Sequence, residues 1–301
     1  MKVLCFGSIN VDLTYSVEHI VKEGETLSSL ALIKSAGGKG ANQSAALAKA
    51  GLKTFHAGKI GEDGVFILKK LESFGVDTSY VSITDKQTGH AIIQVDKEGQ
   101  NSIILFPGEN KAIEKAEIDG VLSHFSAGDW LVLQNEINEL KYIIDRAHDK
   151  NINICFNPAP FDNSILDLPL EKVSLLVVNE IEGAALAGID SSFEKILITI
   201  KQRYPKSNIL LTLGSEGALY CNNEVIRQNC FKVKAIDTTA AGDTFIGYFL
   251  ASITEGFDVN DALEMASAAS AITVSRNGAM DSIPYKEEVV EFLKGKKDEE
   301  D

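Results

Sequence analysis

The chain has 301 residues, 45% of them apolar and 24% charged, which is the balance of a soluble globular protein with room for one large domain or about two. A formal net charge of −14 supplies no basic face for nucleic acid or an anionic membrane, so neither is expected as the main partner, while a small phosphorylated ligand held by backbone donors stays compatible. The N-terminal apolar run in MKVLCFGSINVD is too short for a signal peptide and no long apolar span follows, so a cytoplasmic location is expected.

In chain order, the first strand-length apolar run is VLCFG, followed by Asn10 and Asp12. An amide and a carboxylate two residues apart on an extended segment point to one face and can grip adjacent hydroxyls; an Asx turn leaving the strand is the plainer reading. From Val11 to Ile33 polar and apolar residues alternate, which predicts a sheet with one exposed face. SAGGKGANQSAALAKAG (Ser35 to Gly51) is a glycine-rich entry into a small-residue helix, where Gly37, Gly38 and Gly40 serve either tight packing or close approach of a ligand. It is not a phosphate loop of the G-x-x-x-x-G-K-[ST] type, because Lys39 is followed by Gly40, and GSINVD lacks the G-x-G-x-x-G of dinucleotide sites. Alternation returns from Thr88 to Leu105 around the turn DKEGQ, a predicted hairpin. The two alternating regions together predict a small β lid inserted in a larger body.

Beyond it, WLVLQ, NICF, LLVVN and ILLTL alternate with the helix-period segments INELKYIIDRAHDK and EGAALAG. Continuous apolar strands separated by helices predict an α/β core, a mainly parallel sheet covered on both faces, in one continuous domain over 1–301. Asn179, Glu180 and Glu182 follow LLVVN and open a helix, as dipole partners or as a water-mediated Mg²⁺ site. In AIDTTAAGDTFIGYFLA, Asp243 stands after Ala240, Ala241 and Gly242 where an apolar helix begins. It can simply cap that helix, or it can stand beside an anion that small residues admit to the free N–H groups of the first turn. The tail GKKDEED is charged and expected to fray. Cys5, Cys155, Cys221 and Cys230 form no C-x-x-C pair or zinc spacing, the first and second of them read as buried thiols, and the five histidines show no ligand pattern.

GSINVD, SAGGKGANQ, IGEDGVF, GVDTSYV, NPAP, VNEIE, TLGSEG and DTTAAGDTF occur in the order of the ribokinase family of carbohydrate kinases, also called the phosphofructokinase-B family, and the chain resembles that family over nearly its whole length. GGKGAN and DTTAAGDTF are the specific signatures. The resemblance implies a three-layer α/β core with a β-sheet lid that often pairs with another subunit's lid in a homodimer. It also implies ATP-dependent phosphorylation of a sugar CH₂OH, with D-ribose at O5 the expected acceptor, another sugar or a nucleoside the alternative, and a silent sensor the rival of a different class.

By the same resemblance, Asp243 is the catalytic base and Ala240, Ala241 and Gly242 form the anion hole. Asn10, Asp12, Gly38, Lys39, Asn42 and Glu136 match sugar contacts, while Asn179, Thr212, Gly214, Ser215, Gly217, Gly242 and Ser267 lie on the nucleotide side. Glu182 corresponds to the residue that organises hydrated Mg²⁺, and Asp237, Thr239, Thr273, Arg276, Gly278 and Ser282 to the surroundings of an activating K⁺. Two places depart from the family: Ser267 stands where a larger Asn or His is common, and FPGEN, ending at Asn110, carries larger residues before that Asn.

Overall fold

The computed structural model describes the backbone of residues 1–300 and the side chains of residues 1–296. The chain opens with β1 (Val3–Phe6), β2 (Asn10–Ser16) and β3 (Ala31–Gly37), then α1 (Lys39–Lys49), β4 (Thr54–Gly61), α2 (Val65–Ser73) and β5 (Asp77–Thr84). The hairpin β6 (Gly89–Val95) and β7 (Asn101–Phe106) leads to α3 (Lys115–Leu122), β8 (Trp130–Gln134), α4 (Leu140–Asp149), β9 (Asn153–Asn157) and β10 (Leu175–Asn179). There follow α5 (Glu180–Ala187), α6 (Phe193–Arg203), β11 (Asn208–Thr212), β12 (Ala218–Cys221) and β13 (Val225–Gln228). Helices α7 (Ala241–Glu255), α8 (Val259–Val274) and α9 (Lys286–Glu300) complete it.

The main sheet has nine strands in the order β13-β12-β11-β10-β9-β8-β1-β4-β5. Pairings from β11 through β10, β9, β8, β1 and β4 to β5 are parallel; β12 and β13 add an antiparallel edge. Successive strand residues point to opposite faces, so a strand buried on both faces reads as continuously apolar. Val3 and Cys5 join the layer containing α1, α2, α7 and α8, while Leu4 and Phe6 join the layer containing α3, α4, α5 and α6. Leu175 and Val177 divide from Leu176 and Val178 in the same way. The expected strands are all present, joined by β4, β5, β12 and β13.

The second sheet, in the order β3-β2-β6-β7, is assembled from the two alternating regions. One expectation is corrected here. Alternation implied a single exposed face, yet on the outer strands consecutive apolar residues are exposed: Leu32 and Ile33 at 52% and 59%, Ile103 and Ile104 at 53% and 62%. Neighbours on a strand face opposite ways, so both faces of these strands are uncovered in the single chain. Helix α9 runs through Glu300, and the side chains of 297–300 and residue 301, most of the tail expected to fray, lie outside the described residues. Among the described residues no helix is long and apolar enough to cross a membrane.

One close crossing positions the chemistry. A Cβ on Gly247 would collide with Ala46, so α1 and α7 touch nearly backbone to backbone. One turn toward each N-terminus from that contact stand Asn42 on α1 and Asp243 on α7.

Candidate active site

Parallel strands end on one side of a sheet, and four adjacent ones here end on a polar residue: Gln134, Asn157, Asn179 and Thr212 close β8, β9, β10 and β11. Gln134 is opposite Asn157 and Asn179 is opposite Thr212 in register. The N-terminus of α7 lies over this row. Its cap is Ala240, a non-glycine residue in the left-handed region at φ 61°. That conformation is uncommon and costly for a residue with a Cβ, and its persistence marks a turn held by its surroundings.

Asp243 is the third residue of α7, and the capping reading of its side chain is corrected: it makes no cap bond and reaches across to α1 instead. Its Oδ2 accepts from Asn42 Nδ2 at 3.0 Å and its Oδ1 from Gln43 Nε2 at 2.9 Å. Ala241 N–H donates to Thr238 O at 3.2 Å, whereas among the described residues no acceptor takes the N–H groups of Ala240, Gly242 or Asp243. The open donors of the turn are therefore these three, with Ala241 already engaged. A Cβ built on Gly242 meets nothing within 4 Å, so this glycine faces open space.

Gly242 lies where two cavities meet. The larger, about 670 Å³, is lined by Thr212, Gly214, Ser215, Gly217, Ser267 and Phe245 among others, with Asn179 shared with the smaller one. This gathers Thr212, Gly214, Ser215 and Gly217 of TLGSEG with Ser267 around one cavity beside α7. Ser267 Oγ donates to Asn229 O at 3.3 Å, which turns its polar atom toward the wall. The smaller cavity, about 200 Å³, is lined by Lys39, Asn157, Asn179, Glu182, Gly242 and Asp243 among others. Asn179 and Glu182 form a reciprocal capping box, Asn179 Oδ1 accepting from Glu182 N at 2.8 Å and Glu182 Oε2 accepting from Asn179 N at 3.0 Å, so the pair has a structural role at the start of α5. Burial holds the Glu182 carboxyl above its usual range. Burial also opposes charge on Lys39, but the carboxylates of Asp243, Glu136 and Glu182 outweigh it and keep that ammonium firmly protonated.

On the side of the small sheet, Asn10 Oδ1 accepts from Asn110 Nδ2 at 2.7 Å, and Asn110 also ties to Ile9 N at 3.0 Å. The FPGEN segment thus leaves the sheet as a turn that buries Asn110 beneath Asn10. The Asp12 carboxyl has no hydrogen-bond partner among the described residues, and it is pushed up to about 7 by burial and then by Glu136. Glu136 Oε2 accepts from Lys39 N at 3.0 Å and from Ser8 Oγ. For the glycines of GGKG, packing accounts for the residue type: a Cβ on Gly38 or Gly40 would press on the backbone between Gly7 and Asn10. Asn42 Oδ1 is buried without a partner among the described residues.

The residues expected around K⁺ lie apart from these, on and after the C-terminal end of α8 and in the segment before α7. Asp237 Oδ1 accepts from Thr239 N at 2.9 Å and Oδ2 from Gly278 N at 3.0 Å. Burial opposes its charge, but these bonds outweigh it and hold the carboxyl below the usual range. The Arg276 guanidinium turns away to Glu288 at 2.6 Å, and Thr273 Oγ1 donates to Ala269 O at 3.0 Å. Ser282 Oγ donates to Ala279 O at 2.7 Å.

Sequence reasoning missed Gln43, Gln134 and Asn157, all buried around Asp243. Gln43 lies in SAGGKGANQ and Asn157 opens NPAP, while Gln134 ends the apolar run WLVLQ. A polar residue terminating a buried strand was the signal.

The sequence profile described as pfkB family carbohydrate kinase matches residues 1–286. The ribokinase of Staphylococcus aureus (strain COL) is 36% identical over 304 residues, covering 96% of this chain and 98% of that protein. The deoxyribokinase of Salmonella typhi is 32% identical over 306 residues, covering 97% of this chain and 99% of its own length. The solved structure of Arabidopsis thaliana ribokinase complexed with ribose and ATP is similar with a TM-score of 0.86 at 30% sequence identity, over 97% of this chain and 98% of that one.

Proposed function

The chain belongs to the pfkB family of carbohydrate kinases, and from that premise we propose that it transfers the γ-phosphoryl group of ATP to O5 of D-ribose, giving D-ribose 5-phosphate and ADP. The observation that carries this reading is Asp243, a buried carboxylate beside unpartnered helix N–H groups where the nucleotide-sized and the small polar cavities meet. In the proposed step O5 bonds to the γ-phosphorus as its proton passes to Asp243. The bond from that phosphorus to the bridging oxygen breaks, and its electron pair leaves on ADP. The N–H groups of Ala240, Gly242 and Asp243 face the charge on the moving phosphoryl group, where fixed donors stabilise most because they need no reorganisation. Lys39, lining the small cavity, adds a positive charge there.

Asp12, with unused acceptor oxygens, and Asn42, whose Oδ1 is an orphan, suit sugar hydroxyls as donors to them. Asn10 and Glu136 complete that side, with Gly38 shaping it. The four-stranded sheet above them is read as a lid within one continuous kinase domain. Its apolar residues, exposed on both faces, fit a homodimer in which two lids cover one another.

Mg²⁺ fits only as a nucleotide-borne ion: no group of three or more His, Cys, Asp or Glu side chains among the described residues could hold a metal, and the Glu182 carboxylate stands ready to order its water. When bound, Mg²⁺ supplies neutralisation of the phosphate charge. K⁺ fits at Asp237, which is anionic and uses one lone pair per oxygen; the carbonyls of its bonding partners Thr239 and Gly278, and that of Ser282, are taken up by no hydrogen bond among the described residues. There it would brace the turn before Ala240.

A coupled ADP-release assay over ribose, 2-deoxyribose, hexoses and nucleosides tests the reading. Ribose is expected to give the highest kcat/KM. A preference for deoxyribose moves the assignment toward the Salmonella relative's activity, and turnover on none of them removes the kinase reading.

A further inference from the structure

We propose that Gln43 and Gln134 are positioning residues, a directed string of buried amides that aims the Asp243 carboxylate. The inference rests on the kinase reading above and concerns residues behind the base. Gln43 is fully buried on α1, one position beyond Asn42. Its Nε2 lies 2.9 Å from Asp243 Oδ1 and 3.3 Å from Asn157 Oδ1, and its Oε1 receives Gln134 Nε2 at 2.6 Å.

The direction of this string follows from its ends. An ionised carboxylate only accepts, so Gln43 must turn its NH₂ toward Asp243. Asn157 agrees, because its own NH₂ donates to Val177 O at 3.0 Å and leaves its carbonyl for Gln43. Gln43 Oε1 then faces Gln134, which must offer its NH₂ in turn. That choice leaves Gln134 Oε1 buried with no partner among the described residues, pressed against Gly7, where a Cβ would collide with it. Flipping Gln134 would set carbonyl against carbonyl; flipping Gln43 as well would set a carbonyl against the carboxylate. An orphaned buried carbonyl is expensive, and an apolar side chain at 134 would remove this one only by leaving Gln43 Oε1 without its donor. The Gln134 amide therefore gives up its own carbonyl to hold Gln43 Oε1, and with it the direction of the whole string.

Each Asp243 oxygen receives one amide donor, and each keeps lone-pair capacity for a substrate proton. Asn42 is expected to touch sugar; Gln43 fixes the carboxylate plane from behind, and Gln134 keeps Gln43 from rotating. A base set wrongly by about 1 Å loses up to about 10²-fold in rate.

The test uses Gln43→Met, Gln134→Met and the double variant, with kcat, both KM values and melting temperature measured for each beside wild type. Gln43→Met is expected to lower kcat by about 10- to 10²-fold with sugar and ATP KM within about twofold. Gln134→Met, which deletes one orphan carbonyl and leaves Gln43 Oε1 as another, should melt close to wild type and still lose kcat several-fold. The double variant should match Gln43→Met alone, because Gln134 acts through Gln43. Wild-type kcat in Gln134→Met overturns the string, as do multiplying losses in the double variant or a loss confined to KM. If Gln43→Met does not fold, Gln134→Met decides alone. Wild type turning over no acceptor overturns the kinase reading and the positioning role with it; an active wild type with unaffected variants overturns only the latter.

Discussion

The substitution Asp12→Asn should make the protein more stable in alkaline solution while spoiling its sugar site. The Asp12 carboxyl is held at about 7 against an ordinary 3.8, by burial first and by Glu136 second. The folded chain thus binds this proton more tightly than the unfolded chain does. The stability it contributes is complete below the unfolded value and is lost as pH rises through about 7. A gap of about three pH units at about 1.36 kcal/mol each sets a ceiling of about 4 kcal/mol, of which about 3 falls between pH 5 and pH 8. An amide in that place carries no charge to bury and escapes the loss. With an unfolding entropy of about 2.1 cal/mol/K per residue, 1 kcal/mol moves the melting temperature of a chain this long by about 1.6 °C. Calorimetric melts without ligand should show the Asn variant gaining about 4 °C on wild type from pH 5 to pH 8. In the ADP assay its sugar KM should rise far more than its ATP KM. A melting difference that is flat with pH, or that grows toward acid, refutes the account of Asp12 as a carboxylate held ready without a partner.

Asp243→Asn should retain both ligands in calorimetric titration and lose about 10²- to 10⁴-fold in kcat, because an amide cannot take the hydroxyl proton; near wild-type turnover would remove Asp243 as the base. Gly242→Ala should fold at least as well as wild type, gaining about 0.5–1 kcal/mol of helix propensity, since its new Cβ meets no protein atom within 4 Å. That methyl occupies the space assigned to the phosphoryl group, so a fall in kcat with an unchanged or higher melting temperature is expected, and unchanged kcat would argue that the phosphate lies elsewhere. Exchanging K⁺ for Na⁺ at constant ionic strength and saturating Mg²⁺ should lower kcat in wild type and make no difference in Asp237→Ala. Equal wild-type rates in both salts would leave Asp237 with only its bonds to Thr239 and Gly278.

Local chemistry determined much of this protein from sequence alone. Strands such as LLVVN are apolar at every position but the last because both sheet faces are covered, and alternation separated the small sheet from the main one. Glycines and small residues marked both helix entries, GGKGAN and AAGD, because close backbone approach leaves a visible trace in residue type. What one chain leaves uncovered was not legible, since alternation reports the chain's own faces and says nothing of a second molecule. The strands β4, β5, β12 and β13 carried too little pattern to stand out singly. Only tertiary structure decided the surroundings of Asp243. A reader of AAGDTF sees an acid in position to cap its own helix, yet its partners are 201 and 200 residues away on α1. They meet because Gly247 lets α7 lie directly on Ala46, one turn beyond the base. The same holds for Gln134, whose amide acquires direction only through Gln43 and Gly7. Periodicity records which side of an element is buried, but the direction of a hydrogen bond depends on what is packed opposite, and that is fixed only when the layers close.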